Sequence, residues 1–251
     1  MSRQYQRGFT IIEVMLFLAI TGLLVVTLLT GWTISVNTQS YKDSVRSLWT
    51  TLQGQYNNAV QVTNDRDANW TCAGSGGSTT VAVGFGAARG QSNCVIMGRY
   101  IYINNGNITS NSIIGLQDAG SPIIATSTDI DSIKNYGPTK IPNDMLADVA
   151  QDVPWSAKLY FPGNPTTNAK LAIVIVRSPK TGTVYTFTKA NADSPSVQDV
   201  LTSGTQDVVT LCVDAEAAVA SETLGVMIDA SASSQNAVHV VSQDQQGATK
   251  C

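Results

Sequence analysis

An almost purely apolar run extends from Phe9 to Trp32, and Glu13 is the one charged residue among these 24. As a helix rising about 1.5 Å per residue, the run would be about 36 Å long, enough to cross the hydrocarbon core of a bilayer with some tilt. No proline interrupts it. The pattern therefore predicts a membrane-spanning helix over residues 9–33.

The helical pattern continues beyond this run to about residue 64, with apolar residues at spacings of three and four. We predict one continuous helix, whose second half, residues 34–65, lays an apolar stripe on a globular domain. A break near Gly31 or Asn37 is the alternative, since glycine costs about 1 kcal/mol relative to alanine in a helix. The stripe consists of Tyr41, Val45, Leu48, Trp49, Leu52, Tyr56, Ala59 and Val60.

From residue 66 the pattern changes to short β-rich runs between turn residues, which predicts an antiparallel β-sheet head over residues 66–251. The fold class is therefore α+β, with the long helix first and the head after it. An Asn-Gly turn at residues 104–107 predicts a hairpin between strands 93–104 and 108–114. Residues 115–154 are interpreted as a long loop or insertion. Further predicted elements are strands 79–84, 155–161, 171–177, 184–189, 208–214, 224–228 and 237–241, and a short helix 196–203 capped by Ser196.

A short basic leader, residues 1–8, precedes the apolar run and ends in Gly8. A cut after Gly8 would create an α-amine on Phe9, four residues before Glu13. A lone carboxylate in a membrane helix costs about 2.5–3.5 kcal/mol at mid-depth, and less near the interface. Pairing with the amine of its own helix or of a neighbouring helix would lower that cost, and pairing between helices would also fix their stagger.

Gly8-Phe9-Thr10 and Glu13, followed by Val14-Met15-Leu16, resemble the class III signal sequence of type IV pilins and type II secretion pseudopilins. The resemblance implies that a prepilin peptidase cuts after Gly8 and methylates Phe9, and that Glu13 guides assembly. It implies a pilin-like fold, other pilin or pseudopilin subunits and an assembly platform as partners. The subunit would sit in the cytoplasmic membrane with its head outside, and then join a surface filament.

A narrower resemblance concerns the C-terminal part. Leu211-Cys212-Val213-Asp214, Gly225-Val226-Met227-Ile228 and Ala237-Val238 are similar to the tail of GspH/FimT-type minor pseudopilins. The chain departs from that pattern at residues 217–220, where Ala-Ala-Val-Ala replaces an Arg-rich segment. The absence of a proline in the membrane helix also differs from ordinary major pilins, and a minor subunit is favoured.

Four cysteines, Cys72, Cys94, Cys212 and Cys251, accompany a single histidine and contain no Cys-x-x-Cys pair, so no metal site and no cofactor is predicted. The economical pairing joins Cys72 to Cys94 and Cys212 to Cys251. Four cysteines allow three connectivities, and reduced buried cysteines are a further alternative. The two closures would stabilise the head by about 3.4 and 3.9 kcal/mol in the chain-entropy model, and disulfides imply an oxidising exterior.

The charge balance argues against nucleic-acid binding, since the net charge is −3 and removal of residues 1–8 leaves 13 basic against 18 acidic side chains. His239 is expected to be exposed in a strand, and no catalytic residue and no enzymatic activity are predicted. The sequence predicts a structural filament subunit. The alternative is a pilus-associated surface binding module, for DNA uptake or cell adhesion, that uses residues 115–154. The sequence does not distinguish a pilus from a secretion pseudopilus or a competence pilus.

Overall fold

The computed structural model describes residues 10–61, 70–75, 78–83, 94–116, 127–141, 149–214, 223–242 and 251. The α-helices within these residues are α1 (Ile11–Gln61), α2 (Asp129–Asn135) and α3 (Val197–Ser203), and two short 3-10 helices cover Pro154–Ser156 and Gln235–Ala237. The strands are β1 (Trp70–Ser75), β2 (Ser78–Val83), β3 (Cys94–Asn104), β4 (Asn107–Leu116), β5 (Thr139–Lys140), β6 (Val149–Asp152), β7 (Leu159–Tyr160), β8 (Lys170–Arg177), β9 (Val184–Ala190), β10 (Val209–Val213), β11 (Leu224–Ile228) and β12 (Val238–Ser242).

The strands form three antiparallel sheets. The largest has the order β5-β4-β3-β8-β9, and β6 pairs with β4 on the same side as β5. A second sheet has the order β12-β11-β10-β7, and β1 and β2 form a separate hairpin. A long N-terminal helix packed on antiparallel sheets is the pilin-like α+β architecture that the sequence predicts.

Helix α1 runs without a break over 51 residues, so the predicted continuity is confirmed and the alternative of two helices is not. The predicted stripe is also largely confirmed, because its members from Tyr41 to Ala59 lie buried, with Trp49 partly buried. Val60 was wrongly included, since it is 46% exposed. Ser44 is buried in the same face, where its hydroxyl donates to the carbonyl oxygen of Pro154 at 2.8 Å.

The second half of α1 packs against both larger sheets and closes one continuous core. Inward-facing residues of β3 and β8 cover one side of the helix, and residues of β10, β11 and β12 cover the other. Two aromatic side chains at the helix face also have polar contacts. Trp49 donates through Nε1 to the carbonyl oxygen of Val238 at 2.9 Å, and the Tyr56 hydroxyl lies 3.0 Å from Thr186 Oγ1. The helix therefore holds the two sheets together.

A second core lies on the opposite face of the six-stranded sheet, where α2 and α3 cover Met97, Tyr100 and neighbouring strand residues. Helix α3 begins as predicted after Ser196, whose side chain forms a capping box with Asp199. Burial is the main cause that raises the pKa of Tyr100 to about 12. Its phenol therefore stays protonated and donates to the carbonyl oxygen of Pro195 at 2.7 Å.

The hairpin of β3 and β4 is predicted correctly, and its Asn105 and Gly106 both have positive φ, as a tight Asn-Gly turn requires. A bulge follows Ile96 in β3, beside Gly98. A Cβ on Gly98 would lie 1.9 Å from the carbonyl oxygen of Ile175, so only glycine allows β8 to approach this closely.

Two predictions about the head are wrong, and one strand was not predicted. The interpretation of residues 115–154 as a loop or insertion overlooks α2, β5 and β6, although residues 117–126 and 142–148 lie outside the described residues. The predicted strand 155–161 is a turn at Pro154–Ser156 followed by the two-residue β7, because Trp155 takes a left-handed conformation that ends extended pairing. Strand β1 was missed, since Thr71-Cys72-Ala73-Gly74 has no alternating pattern.

Both disulfides favoured by the sequence are present. Cys72 bonds to Cys94 with 5.6 Å between their Cα atoms, which joins β1 to the start of β3. Cys212 bonds to Cys251 with 5.4 Å between their Cα atoms, which joins β10 to residue 251. Each bond attaches a segment outside the main core to a central strand.

Replacement of Leu52 by alanine should lower the free energy of unfolding by about 2–5 kcal/mol, because the fully buried side chain would leave a cavity between the two sheets. Val60→Ala on the same helix is the matched control and should change stability by no more than about 0.5 kcal/mol, as expected for an exposed position. Urea unfolding of the full-length protein in detergent measures both. Equal losses for the two variants would contradict the packing described above.

Candidate functional site

The first half of α1 buries almost nothing against its own head. Its large apolar side chains are exposed throughout, with Ile11 at 80%, Leu28 at 72% and Trp32 at 74%. An 18-residue window of this helix has a mean hydropathy of 2.6, and none of it is buried within the chain. By length and composition the helix can cross a membrane. Full burial of a large apolar side chain stabilises a protein by about 1.5–3 kcal/mol, and the exposed side chains of this segment do not gain that free energy from their own head. The segment therefore needs an apolar environment outside the head.

The threonines of this segment satisfy their own hydroxyls. Each one donates to a backbone carbonyl three or four residues earlier, for example Thr21 to Phe17 at 2.8 Å and Thr33 to Leu29 at 2.9 Å. An unpaired hydroxyl would cost several kcal/mol in lipid, so this pairing makes the helix compatible with lipid or with other helices. The sequence prediction did not use these threonines, although their positions within the apolar stretch and just after it are visible in the sequence. They are Thr21, Thr27, Thr30, Thr33 and Thr38.

Glu13 lies exposed in the first turn of α1. There its carboxylate is near the positive end of the helix dipole, a favourable place for a negative charge. The backbone amide of Glu13 donates to the carbonyl oxygen of Thr10 at 3.1 Å, so the turn that carries it is formed. Gly8 and Phe9, the predicted processing residues, lie outside the described residues. The pairing of Glu13 with the Phe9 amine therefore stays a prediction.

Two titratable groups of the head, His239 and Asp129, form contacts with neighbouring side chains. His239 is exposed as predicted, and its Nε2 lies 2.8 Å from Asp229 Oδ2. Asp129 accepts hydrogen bonds from Thr181 and Tyr185, and the bond from Thr181 is the main cause that lowers the pKa of this carboxyl. In the part of the chain that the structure describes, no three His, Cys, Asp or Glu side chains are grouped to hold a metal ion.

Comparison with known proteins bears on the N-terminus alone. Residues 3–29 match the family described as the prokaryotic N-terminal methylation motif. No curated protein and no solved structure matches the chain. The matched range includes Gly8, Phe9 and Glu13 and ends before the buried half of α1. The match therefore concerns the N-terminal residues and the exposed helix.

Replacing Leu23 by arginine should weaken membrane association, because a charge near the centre of residues 9–33 costs about 2.5–3.5 kcal/mol on insertion scales. Thr50→Arg, in the polar and exposed part of the same helix, is the control and should leave association unchanged. Carbonate extraction of membranes, with the protein quantified in pellet and supernatant, measures both. Retention of the Leu23 variant at the level of the unmodified protein would contradict a membrane-spanning role for this segment.

Proposed function

We propose that the chain is a structural subunit of a type IV pilus-like filament, a minor pilin or pseudopilin, made as a precursor and processed after Gly8. The observation that carries this proposal is the methylation motif at residues 3–29, which runs directly into an exposed apolar helix with a pilin-like head. A subunit of this kind needs no catalytic residue. Its activity is assembly.

In the proposed precursor, residues 1–8 are the leader and residues 9–33 span the cytoplasmic membrane. Residues 34–65 continue the helix outside the membrane, and residues 66–251 form the extracytoplasmic head. The basic leader favours a cytoplasmic N-terminus, since positive residues flank the cytoplasmic ends of membrane helices. The disulfides Cys72–Cys94 and Cys212–Cys251 support this orientation, because such bonds persist in an oxidising compartment.

After cleavage, the apolar half of α1 leaves the lipid for a bundle of like helices at the filament centre. The transfer exchanges one apolar environment for another, so the net hydrophobic cost is small. The internally paired threonine hydroxyls require no new partners in either environment. The prepilin peptidase, the assembly platform and the other subunits are the partners that this pathway requires.

In this pathway, Glu13 sets the axial stagger between neighbouring subunits. The new α-amine of Phe9 on one subunit pairs with the Glu13 carboxylate of a neighbour, and each charge lowers the desolvation cost of the other. A subunit displaced along the bundle by one helical turn would leave both charges unpaired in an apolar environment. Pairing therefore selects one stagger.

The finer assignment to a GspH/FimT-type minor subunit draws on three resembling segments. Residues 211–214, 225–228 and 237–238 fall on or beside β10, β11 and β12, which are neighbours in the four-stranded sheet. Because the three segments lie on neighbouring strands, we interpret their resemblance as that of one structural unit and not as three unrelated matches. The departing segment, residues 217–220, lies outside the described residues.

Replacement of Gly8 by serine should leave a precursor of full mass, because the proposed cleavage site is the bond that follows glycine and any side chain there would obstruct it. Intact-mass measurement of the protein from membranes distinguishes the precursor from the mature form. Ser2→Gly, inside the leader but distant from the cut, is the control and should mature normally. Normal maturation of the Gly8 variant would contradict the proposed processing site.

Glu13→Ala should be cut normally and yet enter filaments poorly, with at least a tenfold loss in the sheared fraction relative to membranes. Glu13→Asp keeps the carboxylate and should recover part of the assembly. Immunoblotting of both fractions measures the ratio. Wild-type assembly of the alanine variant would contradict the pairing of Glu13 with the Phe9 amine.

A further inference from the structure

Trp155 combines two features that rarely occur together in a stable fold. Its indole is 67% exposed, and its backbone is left-handed, with φ of 63° and ψ of 22°. Bulky residues rarely adopt positive φ, and such strain persists only where the surrounding structure imposes it. A polar residue or glycine would be the ordinary choice at an exposed position of this kind. The tryptophan therefore suggests a role beyond folding.

The turn that carries Trp155 is held from two sides. The Pro154 carbonyl oxygen accepts the Ser44 hydroxyl of α1 at 2.8 Å, and the Val153 amide donates to the Gly106 carbonyl oxygen at 2.8 Å. Gly106 itself has a φ of 81°, and a Cβ there would lie 2.7 Å from the carbonyl oxygen of Ala157. The core helix and the β3–β4 turn together fix the backbone of the turn that carries Trp155.

Trp155 lines a cleft of about 550 Å³ between this turn and the β3–β4 hairpin. Asn105, Asp152 and Lys158 line the same cleft. Asp152 is oriented there by Asn107, whose side-chain amide donates to Oδ1 at 2.8 Å. The volume falls within the range of about 300–1,000 Å³ that small-ligand sites occupy. The residues that line the cleft thus include one indole, a carboxylate, an amide and an ammonium group.

We propose that this cleft binds a saccharide. The C–H face of a pyranose ring is weakly positive and fits the negative face of an indole. Its hydroxyls both donate and accept, which matches a carboxylate acceptor, an ammonium donor and an amide that does both. Asp152 and Lys158 have opposite charges, so the cleft has no net charge and favours a neutral, hydroxyl-rich ligand over a phosphate.

The position of the turn along α1 argues against the bilayer as the occupant of this cleft. Ser44, which fixes the turn, lies eleven residues beyond residue 33, or about 16 Å along the helix axis. The headgroup region adds only about 5–8 Å per leaflet beyond the hydrocarbon core. The point at which α1 holds the Trp155 turn therefore lies outside the headgroup region when residues 9–33 span the membrane. The proposal depends on the cleft and not on the filament function, so the two fail separately.

Calorimetric titration of the full-length protein tests the proposal. The micelles should be lauryldimethylamine oxide, since a maltoside detergent would itself present sugar to the cleft. The probes are maltotetraose and the β-1,4-linked tetramer of N-acetylglucosamine. The unmodified protein should bind at least one of them. Trp155→Gly removes the indole while glycine accepts the positive φ, so it should fold normally and bind at least tenfold more weakly.

Trp32→Leu removes another exposed indole, on the apolar half of α1, and should leave the affinity unchanged. Asp152→Asn should weaken binding while leaving the fold intact. Failure of the unmodified protein to bind either probe at millimolar concentration would overturn the proposal. So would equal binding by Trp155→Gly. If neither sugar binds and Trp155→Gly loses filament incorporation, the cleft is a subunit contact and the saccharide assignment is wrong.

Discussion

One uninterrupted helix has to satisfy two opposite environments, and most of the structure follows from this constraint. From Tyr41 onward, one face of α1 is buried between two sheets, whereas before Val36 its large apolar side chains are exposed. The backbone hydrogen bonds of the helix continue through the junction, with no proline and no kink between the two halves. The apolar half therefore cannot fold back onto its own head. Lipid or other helices must cover it.

The head depends on the same helix for a different reason. Within the described residues, no strand of the six-stranded sheet pairs with a strand of the four-stranded sheet, and the buried face of α1 fills the space between them. Its polar atoms at that face also bond to both, through Trp49 to β12 and through Tyr56 to Thr186 of β9. Whatever moves the helix therefore moves the head as one body.

Sequence patterns predicted the parts of the fold that long periodicity or strong local chemistry determine. The helix has a stripe many turns long, the β3–β4 hairpin has an Asn-Gly turn, and α3 has its capping serine. Two-residue strands were predicted poorly, because β5 and β7 owe their pairing to β4 and β10 rather than to their own pattern. Strand β5 was missed, and β7 was predicted as part of a longer strand. Helix α2 also has a capping box, at Thr128 and Asp131, which the sequence showed but the irregular surroundings obscured.

The candidate functional residues likewise fall into those that the sequence predicts and those that only the structure brings together. Glu13 and the apolar run were predictable, because a charge within 24 apolar residues is a local signal. The cleft at Trp155 was not, since it requires Asn105, Asp152 and Lys158 to meet across two separate loops, and the strand predicted for residues 155–161 would have placed the indole differently. Only the three-dimensional pairing of β4 with β6 brings these residues together.

The central claim is that a cut after Gly8 releases this helix for assembly. Mass spectrometry of the N-terminal peptide from filaments sheared off the cell surface tests it most directly. We expect a methylated peptide that begins at Phe9 in the sheared fraction, at trace level for a minor pilin, or in the membrane fraction for a pseudopilin. A peptide that still carries residues 1–8 in every fraction would contradict the account.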